Sequence, residues 1–229
     1  MKHYFTKQEK RLWGCSVGLI LFSFLLFDRE NYLTLVASLI GVTSLVFTAK
    51  GHPVGQLLMV LFSLLYGVIS WTFAYYGEML TYLGMTMPMA IFSMVAWLRN
   101  PYQGNRAEVA VNAIKWQEWL LIVLMTGVVT AVFGYVLMRL NTANLLFSTI
   151  SVTTSFLAVY LTFRRSAYYA LGYAANDVVL MILWVLASMA DTRYVSVVVC
   201  FAAFLINDLY GFVSWQRMQR RQQGMPSKR

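Results

Sequence analysis

The sequence predicts an all-α protein that crosses a membrane eight times, and three observations predict it. Hydrophobic residues make up 59 % of the 229 and charged residues 12 %, about half the roughly 25 % usual in soluble domains. With a mean hydropathy of +0.62, too few charges remain to cover a water-facing surface, which excludes disorder, fibres and an ordinary soluble enzyme. The apolar residues gather into eight runs near the ~20 residues that a ~30 Å hydrocarbon core requires of a helix. Backbone groups cannot stay unpaired in lipid, so runs of this length are helices.

The runs are Leu12–Phe27, Glu30–Ala49, Val54–Tyr75, Glu78–Leu98, Glu118–Met138, Ala143–Phe163, Tyr168–Ala187 and Tyr194–Trp215. Charges and turn formers separate them: Asp28-Arg29-Glu30, Lys50-Gly51-His52-Pro53, Arg164-Arg165-Ser166 and Asp191-Thr192-Arg193. The first run is short and follows a basic start, as a signal peptide would. No small-residue cleavage site follows it, so it is expected to stay as a helix.

Lysine and arginine supply the third observation. With eight spans, one side holds Lys2, Lys7, Lys10, Arg11, Lys50, Arg99, Arg106, Lys115, Arg164, Arg165, Arg217, Arg220, Arg221, Lys228 and Arg229, and the other holds Arg29, Arg139 and Arg193. A split of 15 against 3 covers all 18 basic residues, and one missed helix would scramble it. The positive-inside rule then puts both termini in the cytoplasm. The net charge of +9 reads as topology and contact with anionic lipid, not as a nucleic-acid footprint.

An internal repeat organises the spans. Phe92-Ser93-Met94-Val95-Ala96-Trp97-Leu98-Arg99 matches Tyr210-Gly211-Phe212-Val213-Ser214-Trp215-Gln216-Arg217 at an offset of 118. Ser70-Trp71 faces Leu183-Trp184 at 113, and Thr43-Ser44 faces Thr154-Ser155 at 111. Spans two to four therefore recur as spans six to eight, with the same direction through the membrane. The expected divisions are 1–29, a basic start and extra helix; 30–99, the first triplet; 100–142, a loop and linker helix; 143–217, the second triplet; and 218–229, a basic tail. Substrate sites in proteins built from repeats tend to lie near the midplane, where the repeats meet.

Most polar side chains inside the spans are Ser and Thr, which can bond to backbone carbonyls. The exceptions are Asn176-Asp177 and Asn207-Asp208. A carboxylate at the centre of a membrane helix costs roughly 2.5–3.5 kcal/mol on insertion scales, so it should face a cavity, a partner or water. Tyr173, Asp177 and Trp184 share one helical stripe with Asn176 at its edge; Asn207, Tyr210, Gly211 and Ser214 share another with Asp208 beside it. Trp71 and Trp184 occupy matching positions as candidate stacking rings. Ser148, Ser151 and Ser155 form one face of span six, which serves either close helix packing or the lining of a pore. Trp97, Trp116, Trp119 and Trp215 sit at span ends, where interfacial anchoring is the ordinary role. The stretch Met85–Met94 reads as packing filler, with Pro88 as a kink.

Absences narrow the chemistry. There is no G-x-x-x-x-G-K-[ST] phosphate loop and no G-x-S-x-G nucleophile elbow. His3 and His52 lie outside the runs, and Cys15 and Cys200 form no metal or disulfide pattern, so neither a metal, a cofactor nor catalytic residues are expected.

The blocks Ser148-Thr149-Ile150-Ser151-Val152-Thr153-Thr154-Ser155, Tyr173-Ala174-Ala175-Asn176-Asp177 and Asn207-Asp208-Leu209-Tyr210-Gly211-Phe212 resemble the PnuC family of vitamin transporters. Asn207-x-x-Tyr210 resembles that family's N-x-x-Y, and Trp116-x-x-Trp119 superficially its W-x-x-W. The resemblance is strong over 143–217 and weaker in the first triplet, where Phe92-Ser93 stands in place of Tyr-Gly. It implies a SWEET-like arrangement of three, one and three helices after an extra N-terminal one, in a bacterial cytoplasmic membrane. It also implies energy-independent import of nicotinamide riboside, trapped by cytosolic phosphorylation, and a homotrimer. Thiamine, riboflavin and deoxynucleoside carriers resemble the same family, so a related ligand or proton coupling stays open. The expected substrate-binding residues are Asn207, Tyr210, Asn176, Trp184, Tyr173, Asp177, Asp208, Trp71, Ser151 and Trp119, with the ligand and the lipid bilayer as partners and no nucleic acid.

Overall fold

The computed structural model describes residues 4–72, 75–142 and 144–224. Lys2, His3, Lys228, Arg229, the start of the sixth expected span at Ala143 and two positions of the third lie outside the described residues. Among the described residues eight helices are long and apolar enough to cross a membrane. They are α1 (Lys7–Phe27), α2 (Tyr32–Ala49), α3 (Val54–Thr72), α4 (Tyr76–Arg99), α5 (Trp116–Arg139), α6 (Leu145–Phe163), α7 (Tyr169–Ser188) and α8 (Thr192–Gln222).

Most boundaries differ from the expected ones by a few residues, for local reasons. The first helix starts five residues earlier than expected because Thr6 and Glu9 form a capping box: the Thr6 hydroxyl accepts from Glu9 N–H, and the Glu9 carboxylate accepts from Thr6 N–H at 2.7 Å. The last runs on to Gln222 because Trp215–Gln222 contains no helix breaker. Within α4, Thr81–Thr86 winds as a π-helix between two α-helical pieces, Tyr76–Leu80 and Met87–Arg99. Pro88 lacks an N–H and would clash with the carbonyl four residues back. The wider turn just before it absorbs that conflict, so the irregularity falls ahead of the proline expected to mark it. The connection between α4 and α5, which hydropathy predicts to be loop, contains an antiparallel hairpin, β1 (Pro101–Tyr102) and β2 (Asn105–Val109).

Six helices form a closed ring. In one half α2 packs on α3 and α3 on α4; in the other α6 packs on α7 and α7 on α8; the halves join through α2 against α8 and α4 against α6. Outside the ring, α1 lies against α2 and α8, and α5 lies against α6. Small residues permit the closest approaches. A Cβ at Gly172 would sit 2.8 Å from the Ala158 backbone, and one at Gly55 2.6 Å from that of Thr48, so neither position admits a side chain without moving a helix.

Trp97 and Trp215, expected as interfacial anchors, are instead buried and tie the halves together reciprocally. Trp97, near the end of α4, donates to the Thr162 carbonyl near the end of α6 at 3.0 Å; Trp215, in α8, donates to the Thr48 carbonyl near the end of α2 at 2.8 Å. Their rings lie 5.3 Å apart. The turns that follow α2 and α6 also correspond, since Gly51 and Arg165 are both left-handed, at φ 68° and 57°. That correspondence has an offset of 114, three more than the offset of 111 relating Thr43-Ser44 to Thr154-Ser155. The rings paired at 113 have unlike surroundings: Trp71 is 61 % exposed and Trp184 2 %.

Candidate functional site

A cavity lies inside the ring, with Asn176, Asp177 and Tyr173 of α7, Asp208 and Phe204 of α8, and Ser155 of α6 on one side. Phe62 of α3 and Tyr82 and Thr86 of α4 face them from the other half. Helical spacing delivers these groups: Tyr173 to Asp177, Phe204 to Asp208 and Ser151 to Ser155 are each four residues apart and share a face. The free volume is about 20 Å³, room for roughly one water. The described conformation is therefore closed.

Polar contacts orient the lining. The Asn176 side-chain oxygen accepts from Thr154 at 2.9 Å, from Ser155 at 2.9 Å and from Ser151 at 3.4 Å. With its oxygen engaged by hydroxyls, the amide has its NH₂ left to offer a ligand. Ser151 also lies 3.3 Å from the carboxylate of Glu78. Asp177 and Asp208 line the same cavity, and among the described residues the second oxygen of Asp177 has no hydrogen-bond partner.

Aromatic clusters close the cavity above and below. Toward the end of the bundle away from the chain termini, Trp184 donates to the Tyr66 hydroxyl at 2.7 Å, with the Tyr75 and Tyr194 rings 5.0 and 5.4 Å away. Toward the terminal end, Trp215 packs on Trp97 and, at 4.9 Å, on Tyr169. Phe204 reaches the cavity across Gly41, where a Cβ would come within 2.3 Å of its ring.

The residues expected at the site separate into groups. Asn176, Asp177, Asp208 and Tyr173 line the cavity, Ser151 supports Asn176 from behind, and Trp184 forms the aromatic closure. Asn207 points elsewhere: its NH₂ donates to Ser16 of α1 at 2.9 Å and to the Ala203 carbonyl at 2.7 Å. Adjacent helical residues are rotated by about 100°, so Asp208 facing the cavity turns Asn207 toward α1. Tyr210 donates to Glu9 at 3.1 Å, and Glu9 lies 3.4 Å from Lys50, in a polar surface pocket at the terminal end. Trp119 packs against Tyr168 at 6.0 Å beside a surface groove of about 250 Å³. Trp71 faces outward. The structure does not bring Asn207, Tyr210, Trp71 or Trp119 to the cavity.

Glu78 escaped the sequence reading. Hydropathy puts it at the edge of a span, but α4 starts at Tyr76 and buries it to 3 % exposure. The signal was the pair Tyr75-Tyr76, which extends the apolar run past the carboxylate. Phe62, Tyr66 and Tyr82 were hidden among many aromatics of similar spacing.

The terminal-end surface is held by charge. The Tyr4 phenol, 5.3 Å beneath Lys50, is pushed up to about 12 by burial first and then by Glu108 and Glu9. Arg164 pairs with Glu118, and that hydrogen bond raises its pKa above the ordinary value.

Comparison with known proteins adds independent findings. The sequence pattern of the nicotinamide mononucleotide transporter family matches residues 31–217. Nicotinamide riboside transporter PnuC of Neisseria mucosa is 27 % identical over 203 residues, covering 86 % of this chain and 77 % of the relative. The protein of the same name from Haemophilus influenzae is 21 % identical over 193 residues, covering 84 % and 82 %. The crystal structure of the vitamin B3 transporter PnuC shares the fold, with a TM-score of 0.84 over 95 % of this chain and 94 % of that one, at 24 % identity.

Proposed function

This chain belongs to the nicotinamide mononucleotide transporter family, among integral membrane transporters rather than enzymes, and from that premise we propose that it carries nicotinamide riboside by facilitated diffusion. The observation that carries the reading is the cavity between the two three-helix halves, lined by Asn176, Asp177 and Asp208 and closed at each end by tryptophans. A carrier needs such a closed state between two open ones. The halves rock about the cavity, the Trp184 cluster parting on one side and the Trp97–Trp215 cluster on the other. Asn176 and the two aspartates grip ribose and carboxamide while Tyr82, Phe62 and Phe204 pack on the ring. Phosphorylation in the cytoplasm removes the free riboside and sets the direction, so the carrier itself needs no energy source.

The remaining features follow from the same reading. The reciprocal bonds from Trp97 to Thr162 and from Trp215 to Thr48 support two parallel triplets with α5 as linker, in the SWEET-like order. The 15-to-3 basic split supports cytoplasmic termini in a bacterial cytoplasmic membrane. The outward face of α5, with Leu120, Val123, Leu124, Val128 and Val132 exposed, is available to lipid or to the neighbouring subunit of a trimer. Two carboxyls on one cavity, Asp177 and Asp208, favour one second reading, a proton-coupled carrier of a related vitamin or nucleoside.

Uptake of labelled nicotinamide riboside into liposomes holding the purified protein tests the proposal. The expected result is equilibration with the external concentration at a rate that a proton ionophore leaves unchanged. Accumulation above that level, abolished by the ionophore, would select the proton-coupled reading. Absence of uptake would remove the riboside.

A further inference from the structure

We propose that the cavity selects its ligand by charge: Asp177, Asp208 and Glu78 favour a cationic heteroaromatic riboside over an uncharged one of the same shape. The inference rests on the nicotinamide riboside reading and supplies the basis of its selectivity.

The chain has nine acidic residues. Among the described residues four of them stand in ion pairs: Glu9 with Lys50, Glu118 with Arg164, Asp191 with Arg193 and Glu108 with Arg221. All four pairs lie at or near helix ends, whereas the three carboxyls around the cavity have no such partner. Asp177, Asp208 and Glu78 are 4 %, 3 % and 3 % exposed, and among the described residues no Lys, Arg or His lines the cavity. One oxygen of Asp177 and one of Glu78 have no hydrogen-bond partner among those residues.

Asp177 and Asp208 line one small cavity, and like charges that share a site disfavour each other's ionisation. Together they bring the cavity wall negative charge, though less than two free carboxylates would carry. Burying that charge with no counter-charge is unfavourable, and a ligand cation offsets it. The same cation gains from the ring faces of Phe62, Tyr82 and Phe204. Glu78 acts from behind as a positioning residue. Its carboxylate and the Asn176 oxygen both lie within reach of the one Ser151 hydroxyl proton, so it adds negative potential and sets which of the two that proton serves. The pyridinium of nicotinamide riboside carries a permanent positive charge. Its 1,4-dihydro form keeps the ribose and carboxamide and is uncharged, so the pair isolates charge from shape.

Titration calorimetry of both forms on purified full-length wild type, Asp177→Asn and Glu78→Gln tests the claim. The expected result is at least tenfold tighter binding of the cation to wild type. Each variant should lose at least tenfold for the cation and less than threefold for the dihydro form. Equal binding of the two forms to wild type, or equal losses for both in the variants, would overturn the proposal. Both substitutions are isosteric; if Asp177→Asn does not yield monodisperse protein, the cation-to-dihydro ratio of Glu78→Gln decides alone. If wild type binds neither form, the riboside reading fails separately. Cationic thiamine against uncharged riboflavin then decides the charge claim: a thiamine preference lost in the variants sustains it, and no preference overturns it.

Discussion

Replacing Asn176 by alanine weakens nicotinamide riboside binding by about one to two orders of magnitude while the protein still folds. The amide oxygen accepts from Thr154, Ser155 and Ser151, and its NH₂ is a neutral donor on that wall. Truncation strands a polar group on the ligand in a cavity closed to water, a loss of about 1–3 kcal/mol. The Thr154 proton can turn to the Ile150 carbonyl, 3.0 Å away, so helix packing suffers less than the site. Calorimetry on the detergent-purified variant, with a thermal melt alongside, separates the two effects. An affinity within threefold of wild type would remove Asn176 from the site.

Replacing Trp215 by alanine produces the largest loss of stability. Its side chain is fully buried, touches Trp97 and Tyr169, and donates to Thr48 in the other half. Lipid tails supply no hydrophobic drive between helices, so packing and interhelical hydrogen bonds hold this junction. An emptied tryptophan site costs about 3–5 kcal/mol, a fall in melting temperature of roughly 6–20 °C for a chain of this size. Trp215→Phe keeps most of the packing and loses the hydrogen bond, about 1 kcal/mol. Trp71→Ala is the reference, since that ring faces outward. A Trp215→Ala melt no lower than the Trp71→Ala melt would mean that the halves are not joined there.

Both predictions turn on the difference between what periodicity can and cannot resolve. Span number and approximate bounds were legible because the length of an apolar run and the placement of its flanking charges are one-dimensional quantities. Asn176 and Asp177 were legible because an amide and a carboxylate in hydrocarbon demand a reason. Asn207 and Asp208 raised the same demand, but the sequence alone does not rotate a helix. The structure aims Asp208 at the cavity and Asn207 at Ser16 of α1, a helix that the internal repeat does not include. Trp71 and Trp184 looked equivalent because tryptophan suits both a lipid-facing surface and a packed core. Glu78 was obscured by a span boundary set two residues late, and the π-helix after it depends on how Pro88 is accommodated, which a hydropathy average does not register.

The claim beneath the whole account is that the cavity around Asn176 opens in turn to the two sides of the membrane. Ser155 lines that cavity, and the two native thiols, Cys15 and Cys200, can be replaced to leave a silent background. Labelling Ser155→Cys in sealed vesicles with a membrane-impermeant thiol reagent, from each side separately, tests the claim directly. The account predicts labelling from both sides, with saturating nicotinamide riboside protecting in each case. A protein that still transports but labels from neither side, or labels from both regardless of ligand, would contradict it.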